Sequence, residues 1–97
     1  MIRKLQIGDV QLENNLILAP MAGVTDLPFR LLCREMGAAL VCMEMVSAKA
    51  IYYNNKNTDS LMEIHPDEVP ASLQLFGSDP EIVSDIAHQV EDGPYDI

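Results

Sequence analysis

The sequence is short of positive charge, of cysteine and of long apolar runs, and each shortage excludes a class of protein. Six lysines and arginines stand against fifteen aspartates and glutamates, a formal net charge of −9 over 97 residues. The imbalance is concentrated late in the chain, where Lys49 and Lys56 are the only basic side chains after residue 47. Nucleic-acid binders carry a basic stripe, so this chain by itself is not expected to hold RNA or DNA tightly. Its two cysteines, Cys33 and Cys42, both lie in apolar stretches and do not make a secreted disulfide scaffold. No second cysteine or histidine stands near either at ligand spacing, so no metal is expected. No apolar run approaches the ~20 residues of a membrane span, and Met1-Ile2-Arg3-Lys4 leads into no signal-peptide core. The expectation is a reduced, cytoplasmic protein with no membrane partner. GxGxxG and GxxxxGK[ST] are both missing, which removes the common nucleotide-binding signatures of open α/β sheets.

What remains is the composition of one packed domain, with 48% hydrophobic and 22% charged residues. Leu5-Gln6-Ile7 and Val10-Gln11-Leu12 alternate around Gly8-Asp9, which predicts a tight hairpin with a type II′ turn. Leu16-Ile17-Leu18-Ala19, ending at Pro20, reads as a strand buried on both faces, as in a parallel sheet. A helix follows, capped by Thr25 or Asp26, with Pro28 in its first turn and Gly37 past its end. Phe29, Leu32, Cys33 and Met36 form its apolar face, with Arg30 and Arg34 off it. Leu40 to Met43 reads as a second buried strand. Ser47–Tyr53 and Thr58–Ile64 read as two short helices, and His65 to Pro70 as a loop.

Ala71 to Phe76 reads as a third strand. Asp79-Pro80-Glu81 then starts a helix with a buried stripe of Ile82, Ile86 and Val90. Gly93-Pro94 ends it, and Tyr95-Asp96-Ile97 looks like the opening of a fourth strand. The fold class is therefore α/β: an N-terminal β-hairpin plus the first three to four βα units of an incomplete (β/α)₈ TIM barrel.

Chemistry in such barrels sits where strands end and loops begin. Ala19-Pro20-Met21-Ala22-Gly23 is one such place; its small residues either merely shape a turn or let backbone amides approach a flat ligand. Glu44, after the second strand, is either a solvated strand end or a functional carboxylate. Gln74, read as lying within the third strand, is either satisfied by backbone or presents an amide suited to the edge of a heterocycle. Cys33 and Cys42 read as small buried hydrophobes. His65 and His88 read as solvated, and no nucleophile-base pair is apparent.

The segment Leu18-Ala19-Pro20-Met21-Ala22-Gly23-Val24-Thr25-Asp26-Leu27-Pro28-Phe29-Arg30 resembles the N-terminal signature of bacterial tRNA-dihydrouridine synthases. Cys33-Arg34-Glu35-Met36-Gly37-Ala38, Glu44-Met45 and Gln74-Leu75-Phe76-Gly77-Ser78-Asp79-Pro80 continue the resemblance in order and spacing. It implies an FMN-containing barrel that reduces the C5–C6 double bond of uridines in tRNA, with NADPH as reductant. Pro20, Met21 and Ala22 would then line the flavin ring, Gln74 would bond its polar edge, and Glu44 would lie near the same mouth. The family's proton donor is a cysteine in an Asn-x-Gly-Cys-Pro motif after the fourth strand, and neither Cys33 nor Cys42 matches it.

By the same resemblance, residues 1–97 would be the N-terminal part of the catalytic barrel, without its C-terminal half or the helical RNA-binding domain. Inactivity of these residues alone is the corresponding expectation. Two alternatives stand beside it. One is another FMN-dependent barrel ene-reductase acting on a small molecule. The other is a non-enzymatic truncated product that self-associates through its open sheet edge.

Overall fold

The computed structural model describes residues Met1–Ile97. Strands β1 (Leu5–Ile7) and β2 (Val10–Leu12) form the expected antiparallel hairpin, with Ile7 opposite Val10 and Gly8 at φ +55° in the turn. There follow β3 (Ile17–Leu18), α1 (Leu27–Glu35), β4 (Leu40–Cys42), β5 (Val46–Ser47), α2 (Ala48–Tyr52) and α3 (Asn57–Leu61). A 3-10 turn at Pro66–Glu68 leads to β6 (Ala71–Ser72), β7 (Leu75–Phe76) and α4 (Pro80–Val90). β3, β4 and β6 lie side by side and parallel, with Leu18 opposite Val41 and Val41 opposite Ala71. β5 and β7 form a second parallel pair. This is the predicted α/β pattern of hairpin and βα units, and the sheet does not close into a barrel.

Local chemistry sets the helix ends. The Asp26 carboxylate caps α1 by accepting from the Phe29 N–H at 3.0 Å, and Asp79 caps α4 by accepting from Glu81 at 3.0 Å. Gly37 ends α1 at φ +116°, a backbone conformation that side chains rarely adopt. Its N–H donates to the Arg34 carbonyl and that of Ala38 to the Cys33 carbonyl, the paired bonds of a Schellman stop. Gly77 is required by close approach: a Cβ there would lie 2.7 Å from Val83 Cγ2 on α4.

Several sequence expectations are corrected. The strand read over Ala71–Phe76 is two strands, because β6 pairs with β4 while β7 pairs with β5. At the break the Leu73 N–H turns the other way, to the Ile97 carbonyl at 2.9 Å. Residues 95–97 are not a fourth strand, yet they run along β6, where the Asp96 N–H also donates to the Ala71 carbonyl at 2.9 Å. The first parallel strand is shorter than Leu16–Ala19 and is not buried on both faces. It is the sheet's edge, with Leu16 and Ile17 exposed. The third helix covers Asn57–Leu61 rather than Thr58–Ile64.

The apolar face predicted for α1 is largely uncovered, with Leu32 and Met36 exposed and Phe29 and Cys33 half-buried. The buried residue of that helix is Arg30. α4 behaves as expected, with Ile86 buried and Ile82 and Val90 half-buried. Fourteen residues are buried and five of those are polar or charged, so satisfying buried polar groups carries much of the packing. No helix is long and apolar enough to cross a membrane.

Candidate functional site

The loop after β3 is built by its own backbone. The Met21 carbonyl accepts from the N–H groups of Val24 and Thr25, each at 2.9 Å. The buried Thr25 hydroxyl closes the turn, accepting from the Met21 N–H at 3.0 Å and donating to the Met21 carbonyl at 3.2 Å. Gly23, at φ +78°, donates its N–H to Glu44 Oε1. Pro20 has no N–H, and those of Met21, Gly23, Val24 and Thr25 are all bonded within the chain. The Ala22 N–H is the one donor left for a ligand.

Glu44 is therefore not a solvated strand end. It is 9% exposed and joins the end of β4 to the loop after β3. Two residues on, the Val46 N–H donates to the Gln74 carbonyl at 2.8 Å. Gln74 does not lie inside a central strand. It occupies the break between β6 and β7, where its side chain is exposed rather than packed in the sheet. The Pro20–Gly23 loop, Glu44 and Gln74 are thus linked in series at the carboxyl ends of β3, β4 and β6. Met21 is 43% exposed, and Ala19, Ala22 and Gly23 are exposed beside it, which leaves a rim of small side chains and accessible backbone. On this rim the Ala22 N–H has no partner within the chain, and the exposed Gln74 amide can both donate and accept.

A buried ion pair braces this loop from behind. Arg30, 2% exposed, donates from Nε to Glu68 Oε2 at 2.8 Å and from Nη2 to Oε1 at 3.3 Å. Its remaining bonds go to the carbonyls of Thr25 and Glu63, both at 2.9 Å. The His65 N–H gives Glu68 a further donor at 3.0 Å. One guanidinium thus ties the loop-locking Thr25 to the 3-10 turn. Sequence reading missed Arg30, Thr25 and Glu68, because helical periodicity places an arginine on a face without showing a partner 38 residues away. The only available hint was a glutamate held between two prolines.

Neither cysteine joins the site. Cys33 and Cys42 are both half-buried free thiols. Burial pushes the Cys42 thiol up from its ordinary 9.0, an effect that its hydrogen bond with Ser72 partly offsets, and a raised pKa disfavours the reactive thiolate. His65 is exposed and uses Nδ1 to accept from the Asp67 N–H at 3.1 Å, while His88 is exposed beside Glu91. No group of three or more His, Cys, Asp and Glu side chains is arranged to hold a metal ion.

Residues 17–97 match the sequence profile described as dihydrouridine synthase. The chain is 49% identical over 80 residues to the tRNA-dihydrouridine synthase B of Pseudomonas putida, covering 81% of this chain and 23% of that protein. To the protein of that name in Escherichia coli it is 45% identical over 91 residues, 92% of this chain and 28% of that one. The corresponding protein of Vibrio parahaemolyticus is 43% identical over 90 residues, again with 28% of its length covered. The chain thus spans about a quarter of the length of these relatives.

Proposed function

The chain belongs to the dihydrouridine synthase family, and on that premise we propose that it serves the flavin-dependent reduction of the C5–C6 double bond of uridines in tRNA. NADPH is the reductant in this reading and tRNA the macromolecular substrate. The observation that supports it is the loop geometry: of the N–H groups of residues 21–25 only that of Ala22 is unspent, and Gln74, at the carboxyl end of β6, is exposed. Pro20, Met21 and Ala22 would line the flavin ring, and the Ala22 N–H and the Gln74 amide would be available to its polar edge. Bound FMN supplies hydride transfer from NADPH to the uracil ring. The chain's own part is to bind and orient: Thr25 and Glu44 hold the loop so that these groups face the ring, and Arg30 holds Thr25.

Residues 1–97 are the N-terminal part of the catalytic barrel in this reading. They contain no Asn-x-Gly-Cys-Pro segment, the segment that carries the proton-donating cysteine in this reading, so uridine reduction is not expected of these residues alone. The site of action is the cytoplasm, where tRNA is modified.

The test has two arms. Titrating residues 1–97 with FMN, followed by flavin fluorescence, should give saturable quenching that Gln74→Ala weakens. The gene product containing these residues, supplied with FMN and NADPH, should add two hydrogens to uridines of unmodified tRNA, seen by mass spectrometry of the digest. Reduction of a small enone with tRNA left untouched would replace this reading by that of an ene-reductase. The exposed edge of β3, with Leu16 46% and Ile17 44% exposed, favours one further reading for the 97 residues in isolation: association through the sheet edge. Light scattering would show it, and a stable monomer would rule it out.

A further inference from the structure

Between Glu44 and Asp59 the chain carries no acidic residue, although the half of the chain after residue 47 is strongly acidic. Both lysines of that half, Lys49 and Lys56, fall in this stretch, with Tyr52 and Tyr53 between them. All four side chains belong to exposed residues, and the tyrosines are 50% and 66% exposed. The chain's ion pairs are Arg30–Glu68, His65–Asp67 and His88–Glu91, so neither lysine is neutralised internally. The tyrosine rings meet edge to face, with centroids 5.1 Å apart and planes at 81°. That arrangement leaves both faces of the ring contributing its edge uncovered by its partner.

The backbone beneath is fixed. The N–H groups of Tyr53, Asn54 and Asn55 donate to the carbonyls of Lys49, Ile51 and Ala50 at 3.1, 3.0 and 2.9 Å. Asn54 takes the left-handed φ of +57°, and the Thr58 hydroxyl donates to the Asn55 carbonyl at 2.6 Å. Two aromatic rings on a preformed turn, flanked by two unpaired ammonium groups, match what unpaired nucleic acid needs. Bases stack on the rings, and phosphates meet the cations. Along the sequence this is the one stretch of the acidic half that carries cations without carboxylates, although Lys49 shares a pocket with Asp79 at the start of α4. The placement agrees, because α2 begins two residues after Val46, whose N–H holds the Gln74 carbonyl.

We propose that Lys49, Tyr52, Tyr53 and Lys56 form a contact surface for RNA, on which an unpaired segment of the tRNA substrate stacks. The proposal rests on the reading of tRNA as substrate. With two cations on a chain of net charge −9, the contact is weak and salt-sensitive.

Fluorescence anisotropy of a labelled, unmodified tRNA transcript, titrated with the gene product containing residues 1–97 over a salt series, tests it. Tyr53→Ala should weaken binding about tenfold, and Tyr53→Phe should restore it by keeping the stacking face. Lys49→Gln and Lys56→Gln should each flatten the slope of log affinity against log salt by about 0.7, as for a single-stranded contact. Because the tyrosines are exposed, an unchanged melting temperature should accompany the loss of affinity. The proposal is overturned if the double variant Tyr52→Ala/Tyr53→Ala binds like the wild type, or if the wild type fails to bind tRNA at low salt. Tyrosine-dependent binding without any dihydrouridine formed would sink the enzymatic reading and leave the contact surface standing. Dihydrouridine formation with tRNA binding indifferent to the tyrosines would do the reverse.

Discussion

Replacing Arg30 by methionine tests the buried ion pair most directly. The substitution keeps an unbranched side chain of similar reach and removes every donor. Glu68, fully buried, would lose its bonds at 2.8 and 3.3 Å and keep only the His65 N–H at 3.0 Å. The carbonyls of Thr25 and Glu63 would lose a donor each, although exposed Glu63 has water in reach. An uncompensated buried charge costs about 3–5 kcal/mol. Domains of this size are stable by about 5–15 kcal/mol in all, so the loss is a large share of the total. Urea unfolding followed by circular dichroism measures it as a lower midpoint at unchanged slope. The double variant Arg30→Met/Glu68→Leu should recover much of the loss, because the orphaned carboxylate is gone. A single variant destabilised by less than about 1 kcal/mol, the scale of an ordinary substitution, would refute the reasoning. So would a double variant no more stable than the single one.

Glu44→Ala should speed hydrogen exchange at the Gly23 amide roughly tenfold or more, while Glu44→Gln, which keeps an accepting oxygen, should not; equal rates in both would show that the link does not hold the loop. Gly77→Ala should lower stability by about 1–3 kcal/mol through the 2.7 Å clash with Val83 Cγ2, and adding Val83→Ala should relieve it, both read from thermal melts. Cys42 should be alkylated more slowly in the folded chain than in the urea-unfolded one, as peptide mass spectrometry would report. Its raised pKa means that the folded state holds the proton more tightly. Stability is therefore intact below 9.0 and falls as pH rises through the folded value, with half-buried Tyr95 adding to the decline above 10.0. Rising stability across that range would contradict the partial burial of both groups.

Much of the framework was legible because its causes are local. The Gly8-Asp9 turn, the caps at Asp26 and Asp79 and the stop at Gly37 each depend on a few adjacent residues, and all appear where the sequence puts them. The apolar run at Leu40 to Met43 likewise announced a strand covered on both sides, and Leu40, Val41 and Met43 are buried with Cys42 half-buried. The candidate site is legible in part: Pro20, Met21 and Ala22 follow β3 as the sequence suggests, whereas Gln74, which reads as lying within the third strand, occupies the break between β6 and β7.

What tertiary structure alone decided depends on distant partners. Helical periodicity foresaw an apolar stripe on α1, but whether a stripe is buried depends on what packs against it, and here Leu32 and Met36 remain exposed. The run Ala71–Phe76 reads as one strand until its two ends are seen to pair with different neighbours. Glu44 meets Gly23 across 21 residues and Arg30 meets Glu68 across 38. Turns, caps and strand propensity are short-range and act before the chain is compact, so the sequence states them openly. Pairing of buried charges arises only when the folded chain removes water from both partners at once, and that is a property of the packing.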